Sequence, residues 1–279
     1  MKKIVLFIVI ALTAMISCNS KHDKKIIQRK KPSHKIQYVK QDGGKWCSKN
    51  KENNKFIKIV TAVNRADFEH LALMDSILVP DVLDGDVAFY LPFPLSVSSI
   101  EEIDKLILFS YAAQSFGAYE NGELVYTGAT SMGRKNDPTP TGLYFTNWKA
   151  EQSTSSFNDE WDLRWNFNIE NKLGIGWHQY DMPGYPASHS CLRLLEADAR
   201  YLYNWADQWV LNKDAVKVKG TAVIIFGKYD FDGAKPWLKL VKDPHALDIT
   251  EKEIKEIVKP YFAAIIADQE KKKKPQQNK

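Results

Sequence analysis

The chain has 279 residues, of which 44% are hydrophobic and 12% aromatic, and its formal net charge is +5. This length and apolar content suffice for one large domain, alone or with appendages. The basic residues concentrate in a lysine-rich segment before residue 55 and at the far end of the chain. No basic stripe with interleaved aromatic residues runs between them, so we expect no nucleic-acid partner.

The first eighteen residues have the pattern of a secretory signal. Two lysines precede the apolar run from Ile4 to Ala14, which is short for a membrane-spanning helix. The run ends at Ile16-Ser17-Cys18, and a small residue followed by cysteine is similar to a bacterial lipobox. We predict a lipoprotein-type signal over residues 1–18, lipidation of Cys18 and an extracytoplasmic, membrane-anchored protein. A cleaved signal with a chance cysteine is the alternative.

Two further segments precede the main domain. Residues 19–55 are polar and lysine-rich, with almost no apolar periodicity, and we predict that they form a tether. Residues 56–98 predict a helix-strand subdomain, with a helix from Asn64 to Met74 and an extended piece from Ser76 to Pro80. The pattern is faintly similar to a glycan-binding LysM unit. Only one such unit is visible, which favours a subdomain packed on the main one.

Regular β structure, mostly antiparallel with one inserted helix, is predicted over residues 99–231. Asn121-Gly122 indicates a two-residue hairpin because both positions tolerate positive φ. Helical spacing of apolar residues predicts the helix over Glu196 to Val210. The strand candidates are Leu106 to Tyr111, Ser115 to Tyr119, Glu123 to Tyr126, Leu143 to Phe145, Asn166 to Ile169, Gly174 to His178 and Gly220 to Phe226.

Residues 232–279 complete the chain. Ile254, Val258 and Phe262 recur at helical spacing, and Pro260 interrupts the pattern. We predict a helix packed on the domain, followed by a disordered basic tail.

The residues best suited to chemistry lie between His178 and Leu194. Cys191 follows His189 by two residues and precedes the predicted helix by a few, and His178 lies one short loop upstream. A thiol attacks carbonyls as a thiolate, which needs a nearby imidazole or a positive field. In an extended segment, residues two apart point the same way, so we expect His189 and Cys191 to share a face. His178 can approach across the loop.

Two further groups can assist the thiol. The backbone N–H groups of Ser190 and Cys191 are candidate donors to an oxyanion. Arg193 adds a cation and can clamp a substrate carboxylate with two hydrogen bonds. The residues alone indicate an acyl-transfer enzyme with a cysteine nucleophile.

Three alternatives compete with this interpretation. Cys191 can be a buried, inert cysteine, or it can pair with Cys47 in an oxidising compartment. His178, His189 and Cys191 are all possible zinc ligands. The sequence has no C-x-x-C pair and no H-E-x-x-H motif, so we expect no metal and no cofactor.

Several motifs then coincide in one order along the chain. The chain resembles the L,D-transpeptidase catalytic domain, also called the YkuD type, over roughly residues 104 to 227. Thr139-Pro140-Thr141-Gly142 is similar to the family's "TP.G" turn, and Gly176-Trp177-His178 to its "iH" segment. Ser188 to Leu194 parallels its "SHGCIRL" signature, and Gly220 to Val223 its closing "GT.V".

The resemblance implies a mainly β fold of the β-sandwich or barrel-like type, with an inserted helix and helical appendages at both ends. It assigns Cys191 as the nucleophile, His178 as the histidine that activates it and His189 as a supporting histidine. Arg193 and Ser188 become substrate contacts. The substrates would be peptidoglycan stem peptides, and we expect a monomer.

In the implied reaction, Cys191 attacks the carbonyl between a diamino acid's L-centre and a terminal D-alanine. The thioester then passes to an amine of a neighbouring stem as a 3→3 cross-link, or to water in an L,D-carboxypeptidase. A related thiol hydrolase or a ligase that attaches another protein to the wall is a further possibility. A non-catalytic peptidoglycan-binding or scaffolding lipoprotein on the same fold is the alternative from another class.

Two departures from the family pattern affect the site. Ser190 stands where the family has glycine, and a serine forced to positive φ would cost about 1 kcal/mol. The loop from His178 to Ser188 is shorter than in typical members, which raises the weight of His189 as the base.

Overall fold

The computed structural model of the protein describes residues 27–154 and 162–273. The predicted signal, Cys18 and the first part of the predicted tether lie outside these residues, as does the end of the basic tail. Within the described ranges, no helix has the length and apolar character needed to span a membrane.

The regular elements of these residues are numbered in chain order. The strands are β1 (Tyr38–Gln41), β2 (Ile77–Pro80), β3 (Lys105–Ser110), β4 (Ser115–Glu120), β5 (Glu123–Ala129), β6 (Gly142–Phe145), β7 (Lys149–Thr154), β8 (Asp162–Glu170), β9 (Ile175–Gln179), β10 (Leu192–Leu194), β11 (Val210–Asn212), β12 (Ala215–Val218) and β13 (Ala222–Phe226). The helices are α1 (Gly43–Asn50), α2 (Asn54–Asn64), α3 (Phe68–Ala72), α4 (Glu196–Trp205), α5 (Glu251–Val258) and α6 (Phe262–Lys273).

Two mixed sheets pack against each other in the middle of the chain. One has the order β5-β4-β3-β13-β6 and the other β10-β9-β8-β7. Each contains one parallel pair, β3 with β13 and β9 with β10, among antiparallel neighbours. The predicted mainly β fold, with an inserted helix and helices at both ends, is confirmed.

Strand β3 explains why the first sheet is buried on both faces. Its continuous apolar run sends Ile107 and Phe109 into the core shared with the second sheet and α4. Leu106 and Leu108 point the other way, into a second core closed by α5 and α6. A strand buried on both sides is expected to be apolar at every position rather than at alternate ones.

The predicted hairpin joins β4 and β5. Asn121 and Gly122 have φ values of 48° and 80°, as a tight turn between twisted antiparallel strands requires. A Cβ on Gly122 would lie 2.6 Å from the carbonyl oxygen of Val97, so the turn also needs glycine for space.

The predicted tether is wrong where the structure describes it from Tyr38 onward. β1 pairs with β2, and α1 begins at its N-cap Asp42 and buries Trp46 and Cys47. The lysines of this segment are exposed and dominate its composition, while a few apolar residues suffice to dock it. The N-terminal part of the chain therefore packs as a folded element before residue 56.

The helix predicted from Asn64 to Met74 is also wrong in its start. Asn64 ends α2, and Asp67 is the N-cap of the short α3, its side chain accepting from His70 N. Both Asn and Asp are good caps, so the sequence alone did not select between them. The extended piece up to Pro80 is confirmed as β2.

Around the motif, the structure differs from the prediction in three elements. Leu192–Leu194 is a strand that was not predicted, although α4 begins at Glu196 as the sequence predicts. Helix α4 ends at Trp205, and a hairpin of β11 and β12 follows where the helix was predicted to continue. Strand β7 was not predicted, because its residues are mostly polar and half exposed.

The C-terminal helix is two helices, separated near Pro260 as the sequence indicates. Lys271, Lys272 and Lys273 belong to α6 rather than to a disordered tail. Lys272 contacts Asp207 at 3.3 Å and Lys273 contacts Asp104 at 3.5 Å, so acidic residues of the β domain fix the last turns of the helix.

Substitution of Asn64 tests the contact between α2 and β2. Its buried amide donates to the carbonyls of Val60 and Leu78 and accepts from Leu78 N, each at 2.8 Å. Asn64→Ala would leave both backbone groups of Leu78 unsatisfied on that edge of β2, and we expect a loss of about 3 kcal/mol in the free energy of unfolding by urea. Asn204→Ala, at an exposed helical asparagine, is the control and should change it by less than about 0.5 kcal/mol.

Candidate active site

The parallel pairing of β9 with β10 builds the site. Arg193 lies opposite His178, and Leu192 lies opposite Trp177. Arg193 therefore lies on the side of the sheet that carries His178. Cys191 lies directly before β10, and the Gly176 backbone N–H reaches its sulfur. Sequence pattern placed these groups near one another, and the register fixes which of them are neighbours.

The turn before β10 is held by hydroxyl groups. Ser188 Oγ donates to the carbonyl of Cys191, and Thr139 Oγ1 donates to the carbonyl of Ser190 at 2.9 Å. A trans peptide is planar, so its N–H points away from its C=O. By fixing the Ser190 carbonyl, Thr139 therefore also sets the direction of the Cys191 N–H. The sequence indicates Thr139 only as part of a turn motif, whereas the structure shows that its hydroxyl also orients the peptide between Ser190 and Cys191.

Ser190 adopts the conformation that the family's glycine would favour, with φ at 80°. Its hydroxyl donates to the carbonyl of Asp137 at 3.2 Å and lies 3.3 Å from that of Pro138. The left-handed backbone costs about 1 kcal/mol for a residue with a side chain, and the hydrogen bonding offsets part of that cost. Because Ser190 is not extended, the alternation expected to place His189 on the face of Cys191 does not hold.

His178 is 5% exposed and its Nδ1 lies 3.0 Å from the carbonyl oxygen of Gln179. A carbonyl only accepts, so Nδ1 carries the proton and Nε2 of the neutral ring is free to accept one. Burial, with a smaller contribution from the nearby Arg193 charge, lowers the pKa of His178 to about 4, although the Gln179 hydrogen bond opposes this. At neutral pH the imidazole is therefore uncharged, the state required of a base.

The Cys191 thiol is also neutral at rest. Burial raises its pKa, while the backbone N–H of Gly176 and the charge of Arg193 lower it. The sulfur lies 3.7 Å from the carbonyl oxygen of Gly174, which accepts the thiol proton. A neutral thiol and a neutral imidazole suit proton transfer during attack rather than a stored thiolate.

Glycine at position 176 is required by space and was not singled out from the sequence as a site residue. A Cβ there would lie 2.4 Å from the carbonyl oxygen of Phe167 on the neighbouring strand. On its other side, the Gly176 backbone N–H reaches the Cys191 sulfur.

Arg193 is held at the mouth of the site. Its guanidinium lies 4.5 Å from the centre of the Tyr180 ring, and Nη1 donates to the carbonyl of Asp181 at 3.3 Å. Within residues 27–154 and 162–273, no carboxylate forms an ion pair with it. The guanidinium can therefore form an ion pair with the carboxylate of a ligand.

Among the described residues, Cys191 forms no disulfide and belongs to no cluster of metal-ligating side chains. Cys47 and Cys191 are both free thiols, and Cys47 is buried in α1. In the described part of the chain, no three His, Cys, Asp or Glu side chains come together as metal ligands.

The comparisons with known proteins bear on the same segment. The family model of the YkuD-type L,D-transpeptidase catalytic domain matches residues 104–225, slightly less than half of the chain, and supports assigning this β-rich segment to that family. Among curated proteins, none matches.

Similar solved structures include an L,D-transpeptidase from Stackebrandtia nassauensis at 22% identity and a TM-score of 0.37. Others are from Mycobacterium smegmatis, at 18% and 0.36, and a mutant from Enterococcus faecium, at 21% and 0.35. The matches cover 45%, 45% and 44% of this chain and 57%, 59% and 50% of those chains, respectively. This chain thus spans less than two thirds of each of them.

Substitutions at Ser190 separate backbone strain from hydrogen bonding. Ser190→Gly removes both, so we expect its stability to stay within about 1 kcal/mol of wild type. Ser190→Ala keeps the strain and loses the hydrogen bonds, and should be about 1 kcal/mol less stable than wild type. Urea unfolding of the three proteins measures the order, and an alanine variant as stable as the glycine variant would contradict it.

The buried neutral imidazole predicts a pH dependence of stability. The pKa of His178 is lower in the folded protein, about 4, than in the unfolded chain, about 6.5. Between these values the unfolded chain binds more protons, so the stabilisation is complete above pH 6.5 and is lost as the pH falls towards 4. We expect the wild type to lose about 3 kcal/mol more than His178→Asn between pH 7 and pH 4. Equal losses in urea unfolding would refute this.

Proposed function

We propose that this protein is an L,D-transpeptidase that acts on peptidoglycan stem peptides through a thioester on Cys191. The observation that carries the proposal is the β9–β10 register, which sets His178 opposite Arg193, two residues after Cys191. These residues lie inside the segment that matches the family model. The proposed substrate and the proposed roles of Cys191 and His178 follow from the family resemblance, and the pairing of β9 with β10 supports the roles.

The first half-reaction releases D-alanine. Arg193 binds the terminal carboxylate of a donor stem, which places the preceding carbonyl at Cys191 Sγ. As sulfur attacks, the thiol proton passes to Nε2 of His178, and the backbone N–H groups of Ser190 and Cys191 stabilise the oxyanion. His178 then returns the proton to the leaving amine, the C–N bond breaks, and the acyl group remains on sulfur as a thioester.

The second half-reaction regenerates the thiol. The amine of a neighbouring stem attacks the thioester carbon, and His178 takes its proton through the same Nε2 atom. Collapse of the intermediate breaks the C–S bond, and His178 protonates the departing sulfur. The product is a 3→3 cross-link, or a shortened stem where water replaces the amine.

The anchor of the enzyme is a separate part of the proposal. The signal pattern over residues 1–18 and the small residue before Cys18 support lipidation at that cysteine. A lipid-anchored, extracytoplasmic enzyme would meet its cell-wall substrate directly.

A non-catalytic wall-binding protein is the second candidate. It is favoured by the serine at position 190 and by the burial that raises the pKa of Cys191. It predicts binding to sacculi that survives Cys191→Ser, without any release of D-alanine.

The chain offers a matched pair of thiols for the test. We expect the purified protein to release D-alanine from a disaccharide-tetrapeptide and to be labelled covalently by a carbapenem, both followed by mass spectrometry. Cys191→Ser should abolish both, because it removes the nucleophile. Cys47→Ser changes a thiol that is 3% exposed in α1 and should leave both intact. Equal labelling of wild type and Cys191→Ser would remove the assignment.

A further inference from the structure

The loop between the two strands of the site is fastened to the N-terminal helices. Asp67, the N-cap of α3, donates from its backbone N–H to the carbonyl of Met182 at 2.9 Å. Its Oδ2 accepts from Met182 N at 2.7 Å. The two residues thus exchange a pair of hydrogen bonds, beside an antiparallel bridge between Ala66 and Pro183.

Close contacts and hydrogen bonds hold the loop between β9 and β10 on two sides. Gly184, at φ 77°, approaches the segment after α3 so closely that a Cβ would lie 2.7 Å from the Met74 methyl carbon. On the opposite side, Ser131 Oγ donates to the carbonyl of Tyr185 and accepts from Ala187 N, at 2.7 and 3.1 Å. The loop is short, and these contacts hold it at several points.

Met182 is one residue from the carbonyl that holds Arg193. The Asp181 carbonyl accepts from Arg193 Nη1 at 3.3 Å, and Tyr180 lies under the guanidinium. The Tyr180 ring also contacts the His178 ring edge-on, with centroids 5.8 Å apart. A shift of the loop at Met182 would therefore move the two groups that set the position of the Arg193 charge.

We propose that Asp67 is a positioning residue of the active site: through Met182 it fixes the loop that holds the Arg193 guanidinium beside Cys191. Its use in binding a donor carboxylate rests on the proposed function, but the placement of the charge does not. The N-terminal helices thereby become part of the catalytic architecture, outside the segment that matches the family model.

Asp67 also has an ordinary structural duty, which the test must separate. Its Oδ1 caps α3 by accepting from His70 N at 2.8 Å, and the His70 ring contacts both carboxylate oxygens. Asp67→Asn can keep the cap through its amide oxygen. Its amide NH2 group would then face the Met182 N–H, so that two donors meet. Asp67→Ser is also a good cap, and its side chain is too short to replace the carboxylate at Met182.

The test measures how much faster Cys191 reacts with a negatively charged alkylating reagent than with a neutral one. In the full chain with Cys18→Ser and Cys47→Ser, Cys191 is the one remaining cysteine. A guanidinium beside the sulfur speeds alkylation by the anion iodoacetate relative to neutral iodoacetamide. We expect both Asp67 variants to lower this rate ratio about five-fold, towards the ratio of Arg193→Gln. Asp42→Asn, at the N-cap of α1, should retain the starting ratio.

The outcomes distinguish this inference from the proposed function. A ratio in both folded Asp67 variants equal to that of Asp42→Asn would overturn the positioning role, as would a starting ratio no higher than that of Arg193→Gln. If the wild type turns over stem peptide, the Asp67 variants should raise KM for the donor more than they lower kcat. If it shows no turnover, the proposed function fails, while the alkylation ratio still decides the role of Asp67.

Discussion

The site depends on one short stretch of parallel pairing between β9 and β10. Three residue pairs fix the register, and the chemistry changes if it slips: a shift by one residue would turn His178 and Arg193 to opposite faces. Such a short ladder supplies few hydrogen bonds of its own. Its stability comes from Leu192, Leu194 and Trp177, which are fully buried between the two sheets. The groups proposed for catalysis on these strands thus lie at positions that alternate with those packed in the core.

The turn at Ser190 shows how a departure from the family pattern can be accommodated. A glycine would adopt its positive φ without a steric penalty, and serine does not. The serine hydroxyl compensates by bonding to the carbonyls of the segment before Thr139, while the Thr139 hydroxyl holds the Ser190 carbonyl. The exchange replaces backbone freedom with side-chain hydrogen bonds. The orientation required of the Cys191 N–H is therefore retained by a network rather than by the residue type at one position.

The sequence was informative where its local patterns have one structural meaning. The apolar run of β3 and the Asn121-Gly122 hairpin were predicted correctly, because a buried strand and a tight turn leave clear patterns. The order of motifs identified the residues now found around Cys191. The prediction was wrong where a few contacts decide the structure. Trp46 and Cys47 pack a lysine-rich segment against the fold, although its composition is typical of a tether. Strand β10 is three residues long, and only its partner β9 makes it a strand, so no local pattern could predict it.

Burial of the Cys191 thiol and the His178 imidazole affects the step at which a thiolate and an imidazolium would form. Both groups are neutral at rest, since desolvation by burial disfavours the charged form of each. An ion pair of thiolate and imidazolium would have to form without water to stabilise it. Arg193 and the Gly176 N–H favour the thiolate, but the same Arg193 charge opposes the imidazolium. A bound substrate carboxylate would offset the Arg193 charge, which would ease protonation of His178 but also weaken the stabilisation of the thiolate. In the proposed reaction, donor binding would therefore act on both partners of the proton transfer through one guanidinium. If the loop bonded to the N-terminal helices positions that guanidinium as proposed, it would influence the chemistry as well as the affinity for the donor.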